Sequence, residues 1–156
     1  MATAMSAEQR FWGKVVKTDD CWLWSAGATG GGYGAFWDGK RQVRAHRFSY
    51  ELARGPIPEG LDLDHRHTCP KLCVRPDHLR PATEKQNLEN LSGARSDSQT
   101  GIRGVTYHKV TKTWCARVTH NQKMHVLGYF KTPEEAGEVA RAFRNLVFTH
   151  NDADRI

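Results

Sequence analysis

The stretch that most limits how this chain can fold runs from Leu63 to Leu79, Leu-Asp-His-Arg-His-Thr-Cys-Pro-Lys-Leu-Cys-Val-Arg-Pro-Asp-His-Leu, with Asn87 nine residues beyond His78. Cys69, Cys73 and His78 follow one another at intervals of four and five residues, the spacing of ligands around a closed structural metal site. Thiolate and imidazole donors select zinc, whereas carboxylate and amide oxygens select Mg²⁺ or Mn²⁺. Asp64, His65 and Asn87 carry that second chemistry: two oxygen donors for a hard cation, and an imidazole that is neutral near pH 7 and takes a proton from water. Hydrolysis of a phosphodiester needs these functions together: a deprotonated water, stabilised charge at phosphorus and help for the departing oxygen. The plainer alternative is a pair of buried cysteines, a surface His78 and a structural His65.

The flanking sequence alternates short helices and strands. Ser6-Ala7-Glu8-Gln9 has the form of a capping box, and Phe11, Trp12, Val15 and Val16 share one helical face, which predicts a short N-terminal helix. Cys21 to Trp24 alternates as a strand. The Gly30 to Gly34 run has no following Lys-Ser/Thr at nucleotide-loop spacing, so it predicts a plain hairpin leading to Ala35–Trp37 and the Asp38-Gly39 turn. Ala45 to Arg54 reads as a helix burying Phe48 and Leu52, stopped by Gly55 and Pro56. In the strand Leu61 to His65, alternation sets Leu61, Leu63 and His65 against Asp62 and Asp64, so Asp64 and His65 serve one site only if the strand ends at or before His65. Thr83 to Gln86 forms another capping box, starting a helix at Glu84 with Asn87 early in it and Leu88 and Leu91 on its buried face.

Over roughly residues 6–91 these features resemble the ββα-metal nucleases, the HNH and His-Cys box group. In that family a His at a strand end is the general base, and an Asn or His on the next helix binds the catalytic metal. The resemblance implies His65 as base and Asn87 with Asp64 as ligands of a catalytic Mg²⁺ or Mn²⁺. It also implies an arginine at the scissile phosphate. Arg41, Arg44 and Arg47 precede the site, and Arg41 is favoured. A distant upstream Cys completes the structural site in the His-Cys box members, which points to Cys21 beside Cys69, Cys73 and His78, with His67 as the alternative. A small domain of this kind needs such a staple, since a structural zinc contributes on the order of 10 kcal/mol of apparent folding free energy. Cys115 has no ligand partner nearby in sequence.

Ser92 to Gly101 has a linker composition, which places a boundary there. Beyond it, Ile102–His108, Thr113–Thr119 and Met124–Phe130 read as three strands. A helix follows with Thr132 as N-cap, Pro133 at its first position and Glu135 completing a capping box, burying Ala136, Val139, Ala140, Phe143 and Val147. The segments Arg103-Gly104-Val105, Trp114-Cys115-Ala116-Arg117-Val118, Leu127-Gly128-Tyr129-Phe130 and Glu134-Glu135-Ala136 resemble the plant ethylene-response-factor (AP-two/ERF) DNA-binding domain over about residues 101–150. That resemblance implies a sheet entering the major groove, with Arg103, Thr106, His108, Arg117, Thr119 and Met124 toward the bases and Lys123 on phosphate. The alternative is a solvated polar sheet face.

Composition agrees with a nucleic-acid partner: 23 Lys and Arg against 17 Asp and Glu leave a formal charge of +6 across 156 residues. No apolar run approaches a membrane span, and the Met-Ala-Thr-Ala-Met-Ser start has neither the basic nor the apolar region of a signal peptide, so a cytoplasmic protein is expected. In a reducing compartment its cysteines are ligands or buried thiols. The resulting expectation is an α+β chain: a ββα-metal nuclease domain with structural zinc at 1–91, a linker at 92–100, a three-stranded antiparallel sheet packed on one helix at 101–150, and a tail at 151–156. Its activity would be metal-dependent, site-selective endonucleolysis of double-stranded DNA, with a homodimer where both strands are cut. The architecture resembles phage- or intron-encoded homing endonucleases. A zinc-stapled, non-catalytic DNA-binding regulator and a nonspecific nicking nuclease are the alternatives.

Overall fold

The computed structural model describes residues 4–66, 68–91 and 93–155; His67, the alternative zinc ligand, lies outside them. The fold is α+β, in two compact units that part between Glu84 and Lys85, upstream of the 92–100 stretch whose composition suggested the boundary.

In the first unit, α1 (Ala7–Trp12) is started by Ser6, whose hydroxyl accepts from the Gln9 amide at 3.1 Å while the Gln9 side chain accepts from the Ser6 amide at 3.0 Å. The helix is shorter than expected. Gly13 ends it, and Val15 and Val16 lie instead on β1 (Val15–Lys17), antiparallel to β2 (Trp22–Trp24). Glycine weakens a helix and a β-branched pair suits a strand, so the chain changes state at that point. The hairpin β3 (Ala35–Trp37) to β4 (Gln42–Arg44) turns at Asp38, whose Oδ1 accepts from the amides of Lys40 and Arg41 at 2.7 and 2.9 Å. Gly34 precedes it where a Cβ would lie 2.5 Å from Trp24 and 2.9 Å from Ala45, so only glycine lets the strand approach that closely.

The helix α2 (Ala45–Arg54) ends at Gly55, at φ +85°. It buries Ala45, His46 and Ser49, with Phe48 against the core, while Leu52 is exposed, contrary to the sequence pattern. The core is a ring cluster of Phe11, Trp24, Phe36 and Phe48, closed by Ala45 and Val74, with neighbouring centroids from 4.7 to 5.7 Å apart. β5 (Asp62–His65) pairs antiparallel with β6 (Leu79–Ala82). β2 also bonds to residues 72–74: the Trp24 amide donates to Leu72 O at 2.9 Å and the Val74 amide to Trp22 O at 2.7 Å.

The short helix α3 (Glu84–Glu89) spans the division. Its predicted buried face is exposed: Leu88 and Leu91 face solvent, and Glu89 and Asn90 are buried, because polar partners within the second unit hold them. That unit is the antiparallel sheet β7 (Val105–His108), β8 (Thr113–His120) and β9 (Lys123–Phe130), packed on α4 (Pro133–Val147) around Val105, Ala116, Val118, Ala136, Ala140 and Phe148. Thr132 caps α4, accepting from the Glu135 amide at 3.3 Å. β7 begins at Val105, later than the apolar pattern suggested, because Gly104 sits at φ +83°, where a Cβ would lie 2.8 Å from Arg117 O. The residues expected as a tail pack instead: Asn151 is fully buried, and a single 3₁₀ turn, Asp152–Asp154, brings Asp154 onto Arg144.

Candidate metal centre and catalytic residues

Cys21 immediately precedes β2, Cys69 and Cys73 lie in the loop after β5, and His78 ends a 3₁₀ turn (Pro76–His78) before β6. The bonding of β2 to residues 72–74 closes the long sequence gap between Cys21 and Cys73, and the ligand atoms of all four residues lie within 4.8 Å of one another. Cys21 Sγ is 3.8 Å from Cys69 Sγ and 3.8 Å from His78 Nδ1, which is 3.8 Å from Cys73 Sγ and 3.2 Å from Cys69 Sγ. A tetrahedral zinc with bonds of about 2.3 Å sets its donors about 3.8 Å apart, so this cluster fits a structural zinc. Burial pushes the Cys21 and Cys69 thiols up, and a dication at the centre reverses that preference by binding thiolates. Burial, then the charges of Arg75 and Arg66, holds His78 down, in the neutral form a ligand needs. Asp20 lies 3.9 Å from its Nε2, a carboxylate behind the ring that leaves Nδ1 toward the sulfurs.

His65, at the end of β5, opens onto the same loop. Its Nε2 is 2.9 Å from the carbonyl oxygen of Cys73. A carbonyl only accepts, so Nε2 carries the hydrogen and Nδ1 the lone pair. Burial lowers the pKa of His65 and His78 adds to this, against the Cys73 carbonyl and Asp64, so the imidazole is neutral at pH 7. His46 is 3% exposed with its ring 5.1 Å from that of His65; burial, followed by His65, Arg44 and Arg47, brings its pKa down to about 3. Tyr33 lies 6.1 Å from the His65 ring and 5.1 Å from that of His46, with Arg44 5.1 Å and Lys71 5.4 Å from its own centroid.

The other expected residues are spread over β5, the β3–β4 turn, α2 and α3. β5 stays paired through His65, opposite Leu79, so Asp64 and His65 leave the strand on opposite sides. Asp64 is buried and accepts from Arg80 Nε and Nη2 at 3.1 and 3.0 Å. Arg41 sits exposed at the β3–β4 turn and Arg47 pairs with Asp62 at 3.3 Å, while Asn87 is half-buried on α3. Sequence reasoning passed over Tyr33, His46 and Lys71 and ranked Arg44 behind Arg41. One signal was available: α2 opens Arg44-Ala45-His46-Arg47 with no acidic residue in its first turn and no side-chain cap, unfavourable at the positive end of a helix dipole unless an anion is meant to approach.

In the second unit Thr106, Arg117, Thr119 and Met124 line one groove on the sheet, flanked by Arg95 and Gln99. His108 Nδ1 lies 2.8 Å from Thr111 Oγ1, and Lys123 is exposed where β9 begins. Arg103 lines the same groove, with its guanidinium committed to backbone carbonyls. Its Nη1 donates to Leu91 O at 2.7 Å and its Nη2 to Leu88 O at 3.2 Å and Glu89 O at 3.1 Å, so its guanidinium is turned to the end of α3.

Residues 43–89 match the family model described as HNH endonuclease, a span from β4 to α3 that contains Asp64, His65, Cys69, Cys73, His78 and Asn87 and suggests a metal-dependent DNA nuclease. The chain is 36% identical to Protein 7.7 of Escherichia phage T7 over 73 residues, 47% of this chain and 55% of that protein. It is 35% identical to Protein 3.8 of the same phage over 82 residues, 53% of this chain and 66% of that protein. The chain thus spans between about half and two thirds of the length of these curated relatives. No solved structure matches it. Among the described residues no helix is long and apolar enough to cross a membrane.

Proposed function

We propose that this chain is a site-selective DNA endonuclease of the homing type that hydrolyses phosphodiesters with His65 as general base. One observation carries the reading: within the span matching the HNH endonucleases, the Cys73 carbonyl lies 2.9 Å from His65 Nε2 and sets the tautomer in which Nδ1 holds the lone pair. Cys21, Cys69, Cys73 and His78 hold a zinc that fixes this loop, so Cys73 serves the metal with its thiolate and the base with its carbonyl. The amide oxygen of Asn87 is the donor proposed for the catalytic cation, in preference to Asp64, which leaves β5 on the side opposite His65. Asn87 ranks first, because Asp64 Oδ2 already carries two guanidinium bonds. A bound Mg²⁺ or Mn²⁺ supplies charge stabilisation to the phosphate and leaving oxygens.

His65 Nδ1 takes the proton of the attacking water, and Arg44 and Lys71, gathered over Tyr33 beside it, meet the phosphate in place of Arg41. The C-terminal unit acts as an AP-two/ERF-like reader of double-stranded DNA through Thr106, Arg117 and Thr119, with His108 at the strand end and Lys123 on phosphate. Cutting both strands calls for a second copy of the chain. A phage-encoded enzyme working on DNA in the host cytoplasm fits the source of both relatives.

The test is incubation with supercoiled plasmid with and without Mg²⁺ or Mn²⁺. Wild type should cut, and His65→Ala should lose about 10²- to 10⁴-fold in single-turnover rate while zinc content and DNA affinity stay near wild type. Near-normal cutting by His65→Ala removes the base assignment. No cutting by wild type with any divalent metal leaves the non-catalytic regulator.

A further inference from the structure

We propose that Arg103 is a positioning residue that locks the end of α3, the helix carrying Asn87, onto the C-terminal unit, so that the unit expected to read DNA also aims the catalytic metal ligand. This rests on the assignment of Asn87 to the metal.

α3 has six residues, too few for a helix to hold itself, and its last carbonyls lack intrahelical partners. Its apolar side chains do not anchor it, since Leu88 and Leu91 face solvent. Polar bonds do. Arg103 takes the carbonyls of Leu88, Glu89 and Leu91 on one guanidinium, a cation placed at the negative end of the helix. The buried Glu89 carboxylate accepts through Oε2 from the Thr149 amide at 3.1 Å and the Thr149 hydroxyl at 3.3 Å. Its Oε1 lies 3.4 Å from Lys85 and 3.7 Å from His120. Asn90 Oδ1 accepts from the Asp152 amide at 3.1 Å. Arg103 is itself held from behind: Arg144 Nη1, on α4, donates to its carbonyl at 2.9 Å, and Arg144 is paired with Asp154 through two bonds.

All of these contacts lie inside the unit that begins at Lys85, and Asn87 belongs to the same unit. Asn87 stands one residue before the first carbonyl that Arg103 holds. Arg103 lines the groove that holds Arg117, Thr106 and Thr119, but a guanidinium committed to three carbonyls presents no fork to a guanine edge, so Arg103 acts on the helix and Arg117 and its neighbours read the bases. The metal ligand and the reading face therefore move as one body.

The experiment uses the full chain with Arg103→Ala and Arg103→Gln. Mn²⁺ binding is titrated by electron paramagnetic resonance in a His65→Ala background, where bound duplex is not cut, and cleavage is measured with His65 intact. The expected result is Mn²⁺ affinity and cleavage lowered about 10-fold or more, with zinc content, circular dichroism and gel-shift affinity near wild type. A folded Arg103 variant that binds Mn²⁺ as wild type does, or one whose main loss is DNA affinity, overturns the proposal. So does failure of both variants to fold, which would make the guanidinium a determinant of the fold. Asn87→Ala in the same titration separates the two levels: unchanged Mn²⁺ binding there removes the assignment of Asn87, whereas a loss there with none at Arg103 removes only the clamp.

Discussion

Replacing Cys73 by Ser should unfold the first unit and leave the second standing. Cys73 is fully buried, and its Sγ is one vertex of the four-donor cluster. A structural zinc contributes about 10 to 16 kcal/mol of apparent folding free energy, while a whole domain keeps a net stability of only about 5 to 15 kcal/mol. The apolar core available to compensate is small, essentially the ring cluster with Ala45 and Val74. Loss of one thiolate from a site of that weight exceeds any margin this unit holds, and the Cys73 carbonyl that orients His65 is lost with the loop. The second unit has its own core and contains none of the four ligands. The assay is zinc release to a chromophoric chelator, followed by hydrogen exchange of each unit. Amides of β7, β8 and β9 should stay protected while those of β1, β2 and β5 exchange freely, and a chelator should do the same to wild type. Cys115→Ser should retain one zinc per chain. A wild type that purifies without zinc, or a Cys73→Ser protein with an unchanged unfolding midpoint, would refute the argument.

Two other expected outcomes rest on geometry and burial. Gly104→Ala places a Cβ 2.8 Å from Arg117 O at φ +83°; the left-handed backbone costs about 1 to 2 kcal/mol and the overlap about 1 to 3 kcal/mol, so urea unfolding of the second unit should show a loss of about 2 to 5 kcal/mol. Gly27→Ala, with no atom within 4 Å of the added Cβ, should change stability by less than about 0.5 kcal/mol, and equal effects at the two positions would contradict the steric reading. His46 stays neutral when folded because its pKa falls from 6.5 to about 3. Between those values the unfolded chain takes up a proton that the native state refuses, so stability is full above pH 6.5 and declines by about 1.4 kcal/mol per pH unit as the pH falls. Urea midpoints from about pH 7.5 to about pH 5 should fall less steeply for His46→Phe than for wild type, and parallel slopes would dismiss His46 as the source.

The features legible along the chain were those set by neighbours within a turn or a strand. Ser6 and Gln9 formed their capping box, Ala45 to Arg54 formed its helix and stopped at Gly55, and Thr132 with Pro133 started α4, because caps and terminators act over three or four residues. The spacing of Cys69, Cys73 and His78 likewise marks a ligand cluster in the bare sequence, since a metal loop must return its donors within a few residues. Cys21 was reachable only through family likeness, and it meets the cluster because β2 bonds to residues 72–74 across a long gap in sequence. The same limit explains the misread faces. Leu88 and Leu91 have the spacing of a buried stripe, yet α3 turns Glu89 and Asn90 inward, because Thr149, Lys85 and Asp152 satisfy them there. Arg103 reads along the chain as a DNA contact, and only the fold brings the carbonyls of α3 onto its guanidinium. Periodicity records which side chains prefer to leave water. Which polar groups are buried and paired depends on partners brought together by tertiary packing, and an unpaired buried charge costs too much for any local preference to override.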